Sequence, residues 1–320
     1  MGDPLQFRGG ARAPARGRTM RFAITGSTGL VGTALTKYLR RNGHDVTRVV
    51  RSYSGLPQAE RAIVWHPEDG VIDAAGLEGH DAVIHLAGES ISGVWTPGKK
   101  RRIRDSRVEG TTLLATTLAS LASPPRTLIA ASSFDFYGDR PPSELLDENS
   151  SRGNTFLADV IGDFEQASRP ASDAGIRVVH PRFGNVLSAS GGMLGVLLPL
   201  YRLGLGTTFG SGRQYWPWIA LADIPTAMIH VLERPELSGP VNFVAPEHVT
   251  NAQFTDAVAA AVGRPSIIRL PAFAVKLAPG EMSQELLLRS SRVVPRKLLE
   301  SGYEFQYPTL GSALAWVVSG

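Results

Sequence analysis

The sequence predicts an α/β fold, in which a doubly wound parallel sheet with helices on both faces is followed by a smaller α+β domain. Short apolar runs alternate with helical patterns from Met20 onwards, and the glycine-rich stretch GSTGLVG joins the first apolar run to the first helix. After Pro181 a mixed pattern replaces this alternation. At 320 residues the chain is long enough for two domains. We expect a disordered arm over residues 1–19, the sheet domain over residues 20–186 and a smaller C-terminal substrate or cap domain over residues 187–320.

The elements of this fold follow from the spacing of apolar residues. Strands are predicted at residues 21–25, 45–51, 62–65, 81–86, 127–131 and 176–180. Helices are predicted at residues 30–41, 97–121, 154–171, 223–233 and 310–318. The first helix ends at Asn42 and Gly43, which is a common C-terminal signal.

Composition and charge exclude several classes of protein. The chain has no cysteine, which excludes disulfides, thiolate metal sites and thiol nucleophiles and favours a cytoplasmic protein. The net charge is +4, but residues 1–19 hold four arginines against one aspartate, so the remainder is nearly neutral and no nucleic-acid binding is expected. No apolar run is long enough to span a membrane. The histidines show no metal-ligand spacing, so no metal is expected.

The glycine-rich stretch has the form G-x-x-G-x-x-G between a strand and a helix. Gly26 permits a tight turn, Gly29 lets the backbone approach a pyrophosphate, and Gly32 lets the helix and the strand pack closely. The helix N-terminus adds free N–H groups and the positive end of its dipole. The pattern predicts a Rossmann dinucleotide site, whose first contacts are Gly26, Ser27, Thr28, Gly29, Leu30, Val31 and Gly32.

The end of the second predicted strand indicates which dinucleotide binds. An acid there would bind the ribose 2′-hydroxyl of NAD, whereas a base accommodates the 2′-phosphate of NADP. Arg51 occupies the last position of the strand and Ser52 follows it, so the sequence predicts NADP. The alternative is that Arg51 is only a solvated strand end.

A second group of cofactor contacts is predicted where the strand at residues 81–86 ends. Small residues there let the backbone approach a cofactor. Glu89 follows them as a cofactor contact, a general base or a carboxylate that caps the loop. The predicted contacts are Leu86, Ala87, Gly88 and Glu89.

Several motifs in order resemble the extended short-chain dehydrogenase/reductases. They are GSTGLVG, HLAGESI (85–91), SRVEGT (106–111) and ASSFDFYGD (131–139). Two further motifs, GSGRQYWPWIALADI (210–224) and SGPVNFVAPEHVTN (238–251), resemble the atypical NAD-dependent epimerase/dehydratase-like branch of the SulA/YfcH type. The resemblance runs from about residue 20 to residue 318. It implies a Rossmann domain that binds NADP(H) and a small C-terminal domain. It does not identify a substrate.

The resemblance also implies that the ordinary proton donor is missing. Familiar members use a Ser, a Tyr and a Lys spaced Y-x-x-x-K, and the Tyr passes a proton to the carbonyl oxygen while hydride moves. Here the Tyr position is Leu157 and the Lys position is Ile161, on a helix face that is apolar. Neither side chain can supply general acid–base help.

Three side chains are candidates to replace that pair. Arg107 stands at the upstream Asn position of the family, on a helix stripe that should face the sheet, and either forms a structural ion pair or points into the cleft toward cofactor or an anionic substrate. Ser132, with Ser133 beside it, ends the strand that carries the catalytic Ser of relatives. Tyr137 is the nearest phenol, with packing as its alternative role.

Other positions complete the predicted site. Pro181 and Arg182 follow the sixth strand, where relatives contact the nicotinamide side, although Arg182 could instead bridge the two domains. A C-terminal cluster forms either a ligand wall or a buried core between domains, and it comprises Arg213, Gln214, Tyr215, Trp216 and Trp218.

The leading hypothesis is an NADP(H)-binding oxidoreductase that acts on a small polar molecule and lacks the Tyr–Lys pair. The alternative is a non-catalytic sensor or interaction protein that responds to NADP(H), which the family's association with cell division makes plausible. The expected partners are a small-molecule substrate and, as an open possibility, a second copy in a homodimer.

Overall fold

We analysed a computed structural model of the chain, which describes residues 18–53, 60–277 and 280–319. Residues 1–17 of the predicted disordered arm lie outside the described residues. The strands are β1 (Arg21–Thr25), β2 (Asp45–Val50), β3 (Ala62–His66), β4 (Val71–Ile72), β5 (Ala82–His85), β6 (Thr127–Ala130), β7 (Ser132–Ser133), β8 (Leu145–Leu146), β9 (Arg177–Phe183), β10 (Asn185–Leu187), β11 (Thr207–Phe209), β12 (Trp218–Ala220), β13 (Gly239–Phe243), β14 (Ile268–Leu270) and β15 (Arg292–Val293).

Helices lie between and after these strands. They are α1 (Leu30–Arg41), α2 (Ala74–Leu77), α3 (Pro97–Ser120), α4 (Phe156–Ala167), α5 (Arg169–Asp173), α6 (Gly192–Arg202), α7 (Asp223–Glu233), α8 (Asn251–Ala261), α9 (Ala272–Leu277), α10 (Glu281–Ser283), α11 (Arg296–Glu300) and α12 (Leu310–Ser319). Short 3-10 turns span Pro67–Asp69 and Phe134–Tyr137, and a π-helical turn spans Gln284–Leu288. Among the described residues no helix is long and apolar enough to cross a membrane.

The main sheet has the Rossmann arrangement. Its strands lie in the order β13-β9-β6-β5-β1-β2-β3-β4, with β7 paired to β9, and every pair is parallel except β3 with β4. The central strands β5 and β6 are buried along their whole length, as expected for a parallel sheet that is covered on both faces. The predicted fold class is confirmed.

Alternating side chains of β1 supply two cores on opposite faces of the sheet. Phe22 and Ile24 pack in a cluster that also contains Leu35 of α1 and Met228 of α7. Ala23 points to the other face, in a cluster shared with α3 and α4. The period of two along a strand therefore places α1 and α7 on one face and α3 and α4 on the other.

The chain returns to the main sheet after residue 186. Strand β13 pairs in parallel with β9, and α7 packs in the same core as α1. A separate core joins α6, α8 and α12. The division into residues 20–186 and 187–320 stays a prediction.

One predicted helix is divided in two. The expected helix over residues 154–171 is α4 followed by α5, with a break at Ser168. Pro170 lies in the first turn of α5, where a missing N–H costs no helical hydrogen bond, whereas inside one long helix it would break the ladder. The strand predicted at residues 176–180 also runs further, to Phe183.

Candidate functional site

The candidate site lies where the order of strands reverses. The chain passes from β1 to β2 on one side and from β5 to β6 on the other, so the carboxyl ends of β1 and β5 open into a crevice between them. Ligands of open α/β sheets bind in this crevice. The predicted glycine loop, residues 26–32, follows β1 directly.

The glycine loop has a backbone geometry that residues with a side chain could not adopt at two of its positions. Gly26 has φ +63°, and a Cβ there would lie 2.6 Å from the carbonyl carbon of Leu86. A Cβ at Gly32 would lie 2.2 Å from the carbonyl oxygen of Gly26. The amide of Gly29 donates to that same oxygen at 3.0 Å, which closes the turn. The backbone and its neighbours therefore leave no room for a side chain at Gly26 or Gly32.

The start of α1 fits a phosphate group. Gly29 is its N-cap residue and no side chain caps the helix, so the N–H groups of the first turn, which begins with Leu30 and Val31, have no side-chain acceptor. Thr28 and Gly29 are exposed beside this end. The Ser27 hydroxyl is buried and has no hydrogen-bond partner in the part of the chain that the structure describes. These features fit a dinucleotide diphosphate held by the loop.

A threonine at the end of β1 binds the backbone that follows β5, on the other side of the crevice. The amides of Leu86 and Ala87 donate to the Thr25 hydroxyl oxygen at 3.1 and 3.2 Å. That hydroxyl lies 2.7 Å from Nδ1 of His85, and since it accepts two N–H groups we assign its proton to this bond. Complete burial, with a smaller contribution from Arg107, lowers the pKa of His85 to about 4. The imidazole is therefore neutral beneath the site.

Arg51 lies one residue beyond β2 and is exposed, as is Ser52. The neighbouring arginines are engaged, because Arg40 and Arg48 both pair with Glu60, at 2.8 and 2.6 Å. Within residues 18–53, 60–277 and 280–319, Arg51 forms no ion pair or hydrogen bond. Its guanidinium is therefore open to a ligand at the tip of β2.

Arg107 reaches the loop that follows β5. Its Nη1 donates to the carbonyl oxygens of Glu89 and Ile103, both at 3.0 Å, and the guanidinium lies beside Gly88. No carboxylate oxygen of the described chain lies within 4 Å of it, so the structural ion pair, one of the two predicted alternatives, is not formed. Burial lowers the pKa of this guanidinium, and the negative charge of Glu89 partly offsets that effect.

Glu89 is paired with a different cation. Its carboxylate lies 2.7 Å from Nζ of Lys99, and this contact is the main reason that the pKa of Glu89 is lowered. A carboxylate with a lowered pKa is a weak general base. The bond also ties the start of α3 to the loop after β5.

The face of α4 where relatives carry Tyr and Lys is apolar and closed. Leu157 is 2% exposed and Ile161 is 5% exposed. Neither offers a proton, which agrees with the sequence analysis.

Beside this face lies a buried polar network that the sequence analysis missed. The Ser132 hydroxyl donates to Oε1 of Glu165 at 2.6 Å. Glu165 accepts two hydrogen bonds from Arg182, both at 2.8 Å, and Arg182 donates to the Tyr137 hydroxyl at 3.0 Å. Tyr137 in turn donates to Asn242 at 2.7 Å. The network joins β7, α4, β9 and β13.

This network changes the roles open to Tyr137 and Arg182. Tyr137 has no exposed surface, its hydroxyl both donates and accepts, and burial raises its pKa to about 12. Arg182 is 2% exposed, and its guanidinium stacks 3.5 Å from the centre of the Phe136 ring. Pro181 is buried within β9. The predicted proton donor and the predicted nicotinamide contact from Arg182 are thus enclosed in the protein instead of facing a ligand.

Glu165 had no signal of its own in the sequence. Its charged group is largely buried, and Arg182 lowers its pKa despite the opposing effect of burial. The available hint was Arg182 itself, because a cation in the apolar run of a central strand requires a buried acceptor.

The aromatic cluster of the C-terminal half belongs mainly to a core. Trp216 and Trp218 are 3% and 1% exposed and pack with Phe254. Gln214 is buried as well and donates to the carbonyl oxygens of Phe209 and Leu287, both at 2.9 Å. Of the two alternatives, the structure favours the buried core for these three residues.

Comparison with known proteins gives a consistent result. Residues 22–245 match the NAD-dependent epimerase/dehydratase family, and residues 270–317 match a domain of unknown function. The epimerase family protein Mb2239 of Mycobacterium bovis is 43% identical over 298 residues, which are 93% of this chain and 97% of that protein. The human epimerase family protein SDR39U1 is 36% identical over 304 residues, which are 94% of this chain and 100% of that protein.

Solved structures agree with these relatives. A crystal structure of human SDR39U1 (isoform 2) with NADPH superimposes with a TM-score of 0.84 at 33% identity, over 94% of this chain and 99% of that one. The nucleoside-diphosphate sugar epimerase of Corynebacterium glutamicum gives a TM-score of 0.77 at 36% identity, over 94% of this chain and 58% of that one.

Proposed function

The chain belongs to the NAD-dependent epimerase/dehydratase family, and from that premise we propose that it binds NADP(H) and acts as an oxidoreductase on a small polar molecule. One observation carries the proposal, namely the glycine loop with the open Arg51 at the tip of the neighbouring strand. The human relative whose structure holds NADPH supports the same cofactor.

The preference for NADP(H) over NAD(H) rests on charge. A 2′-phosphate carries negative charge that an arginine can bind through paired hydrogen bonds, and no acid of the described chain competes for Arg51. Ser52 is exposed beside it.

Each residue of the site then has a definite task. A bound nicotinamide supplies a hydride donor or acceptor. The amides of the glycine loop hold the diphosphate, and Arg107 places a positive charge at the end of β5, where an anionic or strongly polar group of a substrate is attracted. The Ser132 hydroxyl donates its hydrogen bond to Glu165, so only its lone pairs remain to accept a hydrogen bond from a ligand.

The cofactor proposal is tested by fluorescence titration of the protein with NADPH and with NADH. Replacing Arg51 by Ala should weaken NADPH binding about tenfold, since a hydrogen bond to a charged group contributes roughly 1.5–3 kcal/mol, and should leave NADH binding unchanged. Arg126→Ala is the matched control, because this exposed arginine precedes β6 and therefore lies at the amino-terminal ends of the strands, away from the crevice. The assignment of Arg51 would be contradicted if Arg51→Ala weakened the binding of NADPH and NADH equally, or if it left the affinity for NADPH unchanged.

A second candidate function is an NADP(H)-dependent sensor that performs no chemistry. The buried, apolar Leu157 and Ile161 favour it, because they leave the usual proton donor without a replacement on α4. A panel of carbonyl compounds and sugar nucleotides, assayed with protein saturated in NADPH, separates the two functions. Turnover of any of them supports the oxidoreductase, and capture of a partner only in the presence of NADPH supports the sensor.

Finer assignments remain proposals. The SulA/YfcH type rests on the motifs at residues 210–224 and 238–251. Cytoplasmic location rests on the absence of cysteine from the sequence.

A further inference from the structure

A segment from the C-terminal half lies across one wall of the crevice. Residues 281–286, which we call the clamp, contact the starts of α3 and α4. The Glu281 carboxylate accepts from Nζ of Lys100 at 2.7 and 2.9 Å, and that ammonium also lies 4.2 Å from the centre of the Phe156 ring. Lys99 of the same helical turn pairs with Glu89. The first turn of α3 therefore connects the clamp to the loop that follows β5.

The clamp also caps α4. The carboxylate of Glu285 accepts the amides of Phe156 and Leu157 at 2.9 and 3.1 Å. These are the N–H groups that an α-helix leaves without partners at its start. A residue 128 positions away from Leu157 thus completes the first turn of α4.

Apolar contacts cover the altered face of the site. Met282 and Leu286 pack against a cluster formed by Trp95, Ile103, Leu157 and Val160. The position where relatives carry Tyr is therefore an anchor for the clamp. This gives Leu157 a role of its own, as an apolar partner of the C-terminal segment.

The two ends of the clamp differ in how they are held. Gly280 precedes it with φ +67° and open space around its Cβ position, so its backbone conformation favours glycine. After the clamp, the Leu287 carbonyl accepts from Gln214, and the buried Arg289 pairs with Asp135. One end is fixed in the core and the other has a glycine able to absorb a change in backbone angles.

The ion pair at the first residue of the clamp can be released at little cost. The Lys100–Glu281 pair is 30% and 45% exposed, and exposed pairs contribute little to stability. The segment includes part of the π-helical turn Gln284–Leu288, a conformation that is frequent at functional sites.

We propose that the clamp is a gate over the nicotinamide end of the crevice, which opens to admit or release NADP(H) and closes when Glu281, Glu285 and Leu286 regain their contacts. The inference rests on the proposed function, because it assumes that the crevice holds this cofactor. Lids of this kind commonly limit the rate of ligand release.

The absence of cysteine from the chain allows a specific test. The double variant Lys100→Cys/Glu281→Cys is joined by a short bis-maleimide, and NADPH release is followed by stopped-flow fluorescence after mixing with excess NADP+. Cross-linking the NADPH complex should slow release at least about tenfold, and cross-linking the free protein should slow association similarly. The same variant treated with a monofunctional maleimide is the control, and rates equal to that control would overturn the proposal.

A second variant tests the gate without a cross-link. Leu286→Ala removes an apolar contact of the clamp and should accelerate NADPH release severalfold, while Leu299→Ala, at an exposed position of α11, should not. Circular dichroism establishes that each variant is folded. If the untreated protein binds no NADPH, the proposed function fails and the gate with it, whereas normal binding with unchanged release rates removes the gate alone.

Discussion

The two walls of the crevice have been altered to different extents. The wall built from β1, the glycine loop and β5 keeps the backbone geometry of the glycine loop, including two glycines that no other residue could replace without moving the backbone. The wall built from α4 and β9 has lost its Tyr and Lys positions to Leu157 and Ile161. In their vicinity stands a buried network of Ser132, Glu165 and Arg182.

From this difference we infer that the part of the fold proposed to bind the cofactor is separable from the part where relatives carry the proton donor. The glycine loop is fixed by local backbone geometry, so its function depends on a few neighbouring residues. The α4 wall depends on long-range packing, and its polar groups are satisfied internally. We therefore expect substitutions in the α4 wall to change stability and substitutions in the glycine loop to change affinity for NADPH.

The largest change, a loss in the free energy of unfolding, is expected from a substitution in the α4 wall. Glu165→Ala leaves the guanidinium of Arg182 buried without its carboxylate, and breaking a buried ion pair on one side costs about 3–5 kcal/mol. Urea denaturation should show a loss of that size in the free energy of unfolding. NADPH affinity of the folded variant should stay within about threefold of the original, a difference of roughly 0.6 kcal/mol.

An exposed ion pair provides the control for Glu165. Asp173→Ala removes the partner of Arg169, and both side chains of that pair are mostly exposed, so the loss should be less than about 1 kcal/mol. If the two variants lost equal stability, Arg182 would not depend on Glu165. If Glu165→Ala also abolished NADPH binding, the two walls would not be separable.

The same division explains what the sequence could predict. The first five predicted strands, α1 and the glycine loop are local patterns, and the bounds predicted for these strands and for α1 differ from the structure by at most one residue. The sixth predicted strand ends three residues too early. The break between α4 and α5 also has a local signal, since Pro170 lies in the first turn of α5.

The α4 wall could not be predicted in this way. Glu165 and Arg182 are 17 residues apart and meet only because α4 packs against β9. Arg107 was expected either to form an ion pair or to point into the cleft, and the structure shows that backbone carbonyl oxygens, which every residue carries, accept its hydrogen bonds. Partners of this kind leave no pattern in the sequence, so neither Glu165 nor the environment of Arg107 could be derived from spacing.

The second prediction concerns the glycine loop. In Gly32→Ala the added Cβ would lie 2.2 Å from the Gly26 carbonyl oxygen, so the loop must shift away from the position that holds a diphosphate. NADPH affinity measured by fluorescence should fall about 100-fold, or roughly 2.7 kcal/mol. Gly311→Ala, also in the first turn of a helix, meets nothing within 4 Å and should leave the affinity unchanged. An unchanged affinity in Gly32→Ala would show that the loop does not hold the cofactor.

The smallest change is expected in the pH dependence of stability that comes from His85, which lies where the two walls meet. One side of the imidazole bonds to Thr25 of the cofactor wall, and the ring stacks on Phe164 of α4. Burial lowers the pKa of His85 to about 4, so the folded protein keeps the ring neutral while the unfolded chain binds a proton near its ordinary value of 6.5. The stability that this group contributes is therefore complete above pH 6.5 and is lost progressively as the pH falls toward 4.

The loss at His85 between pH 6.5 and pH 5 should be about 1.5 kcal/mol, because each unit of pH below the unfolded pKa corresponds to roughly 1.4 kcal/mol and the unfolded imidazole is already half protonated at pH 6.5. The measurement is the free energy of unfolding in urea at these two pH values, for the original chain and for His85→Gln. Other histidines with lowered pKa, such as His80 and His180, contribute to the drop in both chains, so the variant should show a drop smaller by that amount. His66→Gln, at a half-exposed position, should behave like the original chain. If His85→Gln lost as much stability on acidification as the original chain, the imidazole would not be held neutral between the two walls, and Thr25 would bond to a protonated ring.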